Sequence, residues 1–423
     1  MANKNRTKHY LFITYGVQNE NNAVHNICMS LAEYFAEQGD RVTVLGHSLF
    51  SAALTEEYAG TIRTLRFYYP SLRKTQRIWE AYKKNRSKPR MLRSLIMHPY
   101  SAAAFLYRAL TGSNASVRRY SREISSACRK TQYDVVISFS APYHTAAALA
   151  KADTNGAKKL IYMADPYATH HVMGGTAATR VEKYVLERVD AVLVAPGIYQ
   201  NYYGHPLEPF MPKMVPHPFP CLNTKKTVPY VGFSETQINC LFTGSFYEDI
   251  RPPSVMFSLL EAVNDDAIRF TVMGGFFESL SVSERGCLQP LIDAGRLTVL
   301  GSQPPEVAYG AMAAADILLN IGNTNIDMLP SKLLDYISTG KPIVNLCLAQ
   351  QCPSVDILQR YSLHLNVFIY KEGKVSVEQG VDISCFCCQS KGKTVPIEEV
   401  YLNYDDYTPA CFYRTVKFLV DES

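Results

Sequence analysis

Along the first half of the chain, short apolar runs alternate with stretches whose apolar positions recur every three to four residues. Residues 9–14 (HYLFIT) form a strand-like run, 23–38 is spaced as an amphipathic helix that stops at Gly39, and 41–46 (RVTVLG) is again strand-like. That is the opening of a βαβ unit. The pattern resumes at 134–139, 159–164 and 190–195, apolar runs of the kind buried in parallel sheets, with helical spacing over 143–151 and 178–188 between them. One layered domain over residues 1–215 is the expectation.

The stretch 216–236 (PHPFPCLNTKKTVPYVGFSET) is Pro-rich, polar and aperiodic, and reads as an interdomain connection. A second alternation comes after it, with strands expected at 238–243, 269–273, 296–300, 316–321 and 342–346. Helices are expected at 252–263, 304–314 and 330–339, each opening on a proline, which suits a first helical turn. This predicts an α/β fold of two doubly wound, Rossmann-like domains, 1–215 and 237–423, facing a central cleft outside the carboxyl ends of their strands. A C-terminal helix over 408–420 is a candidate to pack back on the first domain. No internal repeat or low-complexity tract interrupts the pattern.

Composition supports two ordinary cores: the 423 residues are 47% hydrophobic and 19% charged, which excludes a disordered polymer. The net charge of +5 conceals a split. Residues 1–220 carry 28 Lys and Arg against 15 Asp and Glu, whereas 221–423 carry 15 against 23, so the halves stand at +13 and −8. Much of the excess lies in 71–93, where nine bases, including Lys83, Lys84 and Arg86, face the single acid Glu80. Trp79 and Tyr82 lie among them, a mixture that suits an anionic membrane surface or a lipid-diphosphate acceptor as well as a solvated positive face. Nucleic acid is disfavoured because no binding module accompanies the charge.

Eleven cysteines without paired spacing point to a reducing, cytoplasmic setting, and the cluster Cys385, Cys387, Cys388 lacks the paired spacing and histidines that zinc needs. No apolar run approaches about 20 residues and no apolar signal core follows the basic start, so any membrane contact is expected to be peripheral, at the inner face of the plasma membrane.

Two segments carry candidate chemistry. In 325–344 (NIDMLPSKLLDYISTGKPIV), Asp327 and Asp335 stand on either side of a helix start at Pro330, with Ser331 and Lys332 in its first turn. Carboxylates so placed can approach one ligand at a helix N-terminus, where backbone N–H groups and the dipole favour a diphosphate. The same residues also suit a capped helix with solvated charges. In 241–253 (LFTGSFYEDIRPP), a strand runs into Gly244 and Ser245, and Arg251 precedes a proline-led helix. Strand, glycine and base in that order can cradle phosphate, and a surface salt bridge is the alternative.

The order G-S-F-Y-x-x-x-R, then the segment from Gly301 to Glu306, then A-D-I-L-L-N-I, then P-S-K-L-x-D-Y-x-x-x-G-K-P-I resembles the donor domain of GT-B glycosyltransferases. The likeness is to the retaining, family-4-like enzymes of bacterial polysaccharide assembly. In the first half, S-F-S-A-P-Y-H-T-A-A-A-L-A and I-Y-M-A-D-P-Y are similar to blocks of the same enzymes, so the resemblance spans roughly residues 9–346. It implies that Asp335 binds the nucleotide ribose, that Asp327 sits beside the reacting sugar, and that Arg251 faces the donor phosphates with Lys332 supplying a second charge. Both carboxylates are Asp where the family has Glu, one methylene shorter. Gly244, Ser245, Ser331 and Gly301 would line the donor. Asp165 would lie near the acceptor, with Asn22, His170 and His171 on the same side.

The resemblance implies a nucleotide-sugar donor, slightly favouring a UDP-sugar, a saccharide or lipid-diphosphate-linked acceptor, and no cofactor or required metal. A GT-B-fold nucleotide-sugar epimerase and a non-catalytic GT-B-like partner subunit are the alternatives.

Overall fold

The computed structural model describes residues 6–15, 23–48, 55–59, 62–68, 115–140, 142–169, 174–222, 227–246, 251–263, 265–276, 280–324, 332–349, 351–369, 375–377 and 382–421. They form two compact units, Met1–Pro218 with Phe412–Ser423, and Phe219–Cys411.

The first unit runs β1 (His9–Ile13), α1 (Ala23–Glu37), β2 (Arg41–Ser48), β3 (Thr55–Ala59), β4 (Ile62–Tyr68), α2 (Ala115–Lys130), β5 (Val135–Phe139), α3 (His144–Lys151), β6 (Lys158–Met163), α4 (Thr176–Leu186), β7 (Ala191–Val194), α5 (Pro196–Gln200) and β8 (Met214–Pro216). Its strands lie in the order β3-β4-β2-β1-β5-β6-β7-β8, parallel except for the β3–β4 pair. Strand β5, VVISF, is buried at every residue because helices cover both faces. The five strands read from the pattern are β1, β2, β5, β6 and β7 to within two residues at each end. Helix α2 escaped that reading because five bases, four serines and a glutamate interrupt its apolar residues. Its buried stripe is nevertheless at helical spacing, Tyr120, Ile124, Ala127 and Cys128.

The second unit runs β9 (Ile238–Thr243), α6 (Ser254–Ala262), β10 (Ile268–Met273), α7 (Val282–Asp293), β11 (Leu297–Gly301), α8 (Pro305–Ala314), β12 (Ile317–Ile321), α9 (Lys332–Ile337), β13 (Ile343–Cys347), α10 (Pro353–Leu358), β14 (His364–Ile369), β15 (Val375–Val377), α11 (Ile383–Ser390) and α12 (Ile397–Asn403). The sheet order is β11-β10-β9-β12-β13-β14-β15, parallel except for β14–β15. The chain steps outward from β9 through β10 to β11, returns to pair β12 with β9, then steps outward the other way. In the first unit the same reversal separates β1 from β5. Loops therefore leave in opposite directions at β1/β5 and at β9/β12, and each reversal opens a crevice at the carboxyl ends of the strands.

Two details refine the expected organisation. The division between units falls inside the Pro-rich stretch, and the later residues of that stretch are fastened to the second unit: Leu222 N–H donates to the Tyr407 carbonyl at 3.0 Å and Val228 N–H to the Glu306 carbonyl at 3.0 Å. Helix α13 (Pro409–Asp421) belongs to the first unit from Phe412 onward. Phe412 is fully buried there, 5.5 Å from the Tyr162 ring and 5.2 Å from His217, while Tyr413 and Lys417 reach the Asp40 carboxylate at 3.0 and 3.3 Å.

Truncating a fully buried phenylalanine costs about 3–5 kcal/mol. Phe412→Ala is therefore expected to lower the urea midpoint of the first unit strongly, whereas Phe418→Ala, on the exposed side of the same helix, is expected to leave it within error.

Candidate functional site

The crevice at β9/β12 is built from the strand ends upward. Thr243 closes β9, and its backbone N–H donates to the Tyr336 hydroxyl at 2.8 Å, which in turn donates to the Thr243 carbonyl at 3.3 Å. Burial pushes the Tyr336 phenol up to about 12, so the ring stays protonated and serves as both donor and acceptor. This bond docks α9 over the end of β9. Gly340, at φ +71, then turns the chain out of the helix into β13.

Backbone beyond the strands continues the sheet. Gly244 N–H donates to the Met273 carbonyl at 2.9 Å, and Gly274 N–H to the Gly301 carbonyl at 2.8 Å. Gly274 has φ +132, and a Cβ there would lie 1.8 Å from the Gly244 carbonyl oxygen, so the two turns touch through backbone alone.

Arg251 spans the crevice. Its Nη2 donates to Asn323 Oδ1 at 2.9 Å, in the turn after β12, and its Nη1 to the Ser245 carbonyl at 3.4 Å, in the turn after β9. Phe242, Thr243, Arg251, Asn320, Ile321, Lys332 and Tyr336 line one pocket at this point. Lys332 Nζ lies 3.0 Å from Asp335 Oδ2 and 4.9 Å from the centroid of the Tyr309 ring, on α8. Asp335 is itself buried, its carboxylate turned to the lysine. The arrangement places a guanidinium and an ammonium on one small polar concavity, the donor set that takes phosphate oxygens.

Of the residues singled out from sequence, Arg251, Lys332, Asp335, Gly244 and Ser245 thus come together. Gly301 ends β11, two strands away from β9, where its carbonyl accepts from Gly274 N–H. Asp165 lies in the first unit, exposed, just past β6. Asp327, Ser331, Asn22, His170, His171, Lys83, Lys84 and Arg86 lie outside the described residues. The cysteine cluster separates along α11, with Cys387 in the core and Cys385 and Cys388 exposed.

Four positions were missed. Asn323 holds Arg251, Tyr336 holds Thr243, Tyr309 lies under Lys332, and Asn320 forms part of the pocket wall. The D-Y pair of the 325–344 motif contained Tyr336, but nothing in its spacing distinguished a docking hydroxyl from a core ring. Asn320 stood inside an apolar run where a parallel strand is ordinarily apolar throughout, which was a usable signal.

At the reversal in the first unit, Tyr15 lies past the end of β1, with its ring 4.5 Å from His47 and 5.0 Å from His144. His47 Nδ1 lies 2.7 Å from the Tyr120 hydroxyl, which donates to the Thr14 carbonyl, so the imidazole nitrogen is the donor to Tyr120. Burial pushes the His47 imidazole down to about 4 and keeps it neutral. Asp165 and Tyr167 follow β6, with the Tyr167 ring stacked on Tyr143 at 4.1 Å. Their turn is pinned by the buried Glu182, which accepts from Ala168 N–H at 2.7 Å and from the Tyr202 hydroxyl.

No protein-family model and no curated protein sequence matches the chain. Solved structures do. Anabaena Alr3699/HepE in complex with UDP superposes with a TM-score of 0.57 at 11% identity, over 99% of this chain and 100% of that one. A glycosyltransferase from Rickettsia africae gives 0.56 at 11%, over 99% of both chains. The trehalose-6-phosphate structure from E. coli bound with UDP-2-fluoro glucose gives 0.55 at 11%, over 97% and 99%. At these identities the likeness is one of fold. It extends over both units, and the chain has the GT-B fold, two Rossmann-like α/β units in succession, shared with these glycosyltransferase structures.

Proposed function

We propose that the chain is a glycosyltransferase that moves a sugar from a nucleotide-sugar donor to a saccharide or lipid-linked saccharide acceptor in cell-surface polysaccharide synthesis, with retention at the anomeric carbon. The observation that carries this reading is the pairing of Arg251 and Lys332 on one pocket at the β9/β12 reversal of a GT-B fold. A UDP-sugar is the favoured donor, because two of the structures of similar fold hold UDP or UDP-2-fluoro glucose.

In this mechanism the bond from the anomeric carbon to the diphosphate oxygen breaks and negative charge grows on the departing nucleoside diphosphate. Fixed cations and backbone dipoles stabilise that charge without reorganising. Arg251, held by Asn323 and Ser245, is preorganised for it. Lys332 delivers a second charge by exchanging Asp335 for a phosphate oxygen. Gly244, Ser245 and Ser331 border the phosphates, Asp335 takes the ribose hydroxyls and Asp327 lies at the transferred sugar. The leaving phosphate accepts the proton of the acceptor hydroxyl as the new glycosidic bond forms, so retention asks for no separate base and no resident metal. Asp165, with His170 and His171, faces the acceptor. The basic stretch 71–93 brings the enzyme to an anionic membrane surface. Among the described residues no helix is long and apolar enough to cross a membrane, which fits a peripheral mode.

A panel of UDP, GDP, ADP, CMP and dTDP in thermal unfolding tests the reading first. UDP at about a hundred times its Kd is expected to raise Tm by about 5 °C or more, and no shift with any nucleotide refutes it. Sugar transfer to a lipid-linked acceptor, compared with release in its absence, then separates a transferase from an epimerase. Arg251→Ala is expected to lower kcat by about 100-fold or more with a smaller change in nucleotide affinity, whereas Asp335→Ala is expected to weaken nucleotide binding about tenfold. Wild-type rates in both variants would remove the site assignment. Replacing Lys83, Lys84, Arg86, Lys88 and Arg90 by Gln is expected to reduce co-sedimentation with anionic vesicles. Unchanged sedimentation would leave these bases as a solvated face.

A further inference from the structure

Strands β12, β13 and β14 carry three asparagines in register, Asn320 opposite Asn345 and Asn345 opposite Asn366, all buried in the middle of a parallel sheet. Asn320 Nδ2 donates to Asn345 Oδ1 at 2.7 Å, and Asn345 Nδ2 donates to Asn366 Oδ1 at 2.7 Å. The hub is saturated: Asn345 Oδ1 also accepts from the Ser354 hydroxyl at 2.9 Å, and Asn345 Nδ2 also donates to Cys347 Sγ at 3.3 Å. The Cys347 thiol donates to the Asn345 carbonyl, so its sulfur is the acceptor toward Nδ2, which fixes the orientation of the Asn345 amide. With Asn345 so oriented, Asn320 presents Nδ2 to β13, which leaves its Oδ1 as the end of the ladder, on a residue that lines the pocket.

An amide oxygen on the wall of a pocket that also carries Arg251 and Lys332 makes a mixed site. Phosphate oxygens are drawn to the two cations and repelled by a carbonyl. With the two cations engaged by phosphate, the donor that matches this carbonyl is an O–H or N–H of the ligand next to those phosphates. Resting on the glycosyltransferase reading, the geometry points to Asn320 as a specificity residue that accepts a hydrogen bond from a ligand hydroxyl adjoining the diphosphate, with Asn345 as the positioning residue that sets its orientation.

Isothermal titration with UDP-glucose, UDP and inorganic pyrophosphate tests this. In Asn320→Leu, affinity for UDP-glucose is expected to fall about tenfold, the worth of one hydrogen bond with an unpaired partner, while pyrophosphate, which has no carbon-bound hydroxyl, binds as in the wild type. A fall for UDP as well places the hydroxyl on the ribose, and a fall confined to UDP-glucose places it on the hexose. Asn345→Leu, which removes the acceptor that orients Asn320, is expected to reproduce the loss, and Asn345→Asp, whose carboxylate still accepts from Asn320, to restore most of it. Should the Asn345 variants unfold, Asn320→Leu decides alone. Wild-type affinity of Asn320→Leu for all three ligands, or an equal loss for pyrophosphate, overturns the inference with the functional reading intact. A wild-type chain that binds neither UDP nor UDP-glucose overturns both.

Discussion

The organisation of the second unit depends on how its sheet copes with the reversal between β9 and β12. The chain leaves these neighbours in opposite directions, so among the described residues no loop joins their ends. Arg251 does so instead, donating to the turn after β12 through Asn323 and to the turn after β9 through Ser245. A half-buried guanidinium needs such partners, because a charge removed from water without them is strongly destabilising. The glycine contacts serve the same end. Gly244 and Gly274 touch through backbone, and Gly301 holds Gly274, so the turn that receives Arg251 is fixed from behind across three strands.

Polar groups inside both units follow one rule. A parallel sheet covered on both faces is cheapest when apolar, yet β12, β13 and β14 each devote a central position to asparagine. Glu182 stands equally dry in the first unit, its carboxyl pushed up by burial while Tyr202 and Ala168 hydrogen-bond to it. Apart from the Asn320 Oδ1 end, the groups of each network named here are paired internally, which offsets the desolvation penalty that a lone buried amide or carboxylate would carry. Each also ends beside a candidate site residue, the asparagine ladder at the pocket wall and Glu182 at the turn that follows Asp165. Both are rigid supports, and their polarity fixes orientation in a way that apolar packing of the same volume would not.

The sequence carried the fold because its signals were local. Continuous apolar runs marked the strands and three-to-four-residue spacing marked the helices, and glycines and prolines marked where helices stop or start. Arg251, Lys332 and Asp335 were legible for a similar reason: each stands at a fixed offset from a strand end or helix start, so chain direction alone brings them to one edge of the sheet. Asn323 and Tyr309 were not legible. Their roles are contacts with Arg251 and Lys332, side chains 72 and 23 positions away, and no periodicity encodes a pair whose members stand on different elements. Gly301 shows what a local signal leaves out. It occupies the right kind of position, a glycine at a carboxyl strand end, but on a strand whose place in the sheet order sets it away from the crevice.

The Lys332–Asp335 pair bears on how the pocket receives an anion. A pair of this kind, with the lysine side chain 38% exposed, contributes little to stability. Its consequence is positional: Asp335 and the Tyr309 ring hold the ammonium at the pocket rather than leaving it to wander through its rotamers. On the proposed function, an arriving diphosphate would exchange one carboxylate for phosphate oxygens at a lysine already in place, so less side-chain entropy would be lost on binding. The exchange also frees the Asp335 carboxylate as an acceptor beside the site. On the same reading, a ligand that engages both Arg251 and Lys332 gains more than one that engages either alone, and that difference works against the internal pair it must displace.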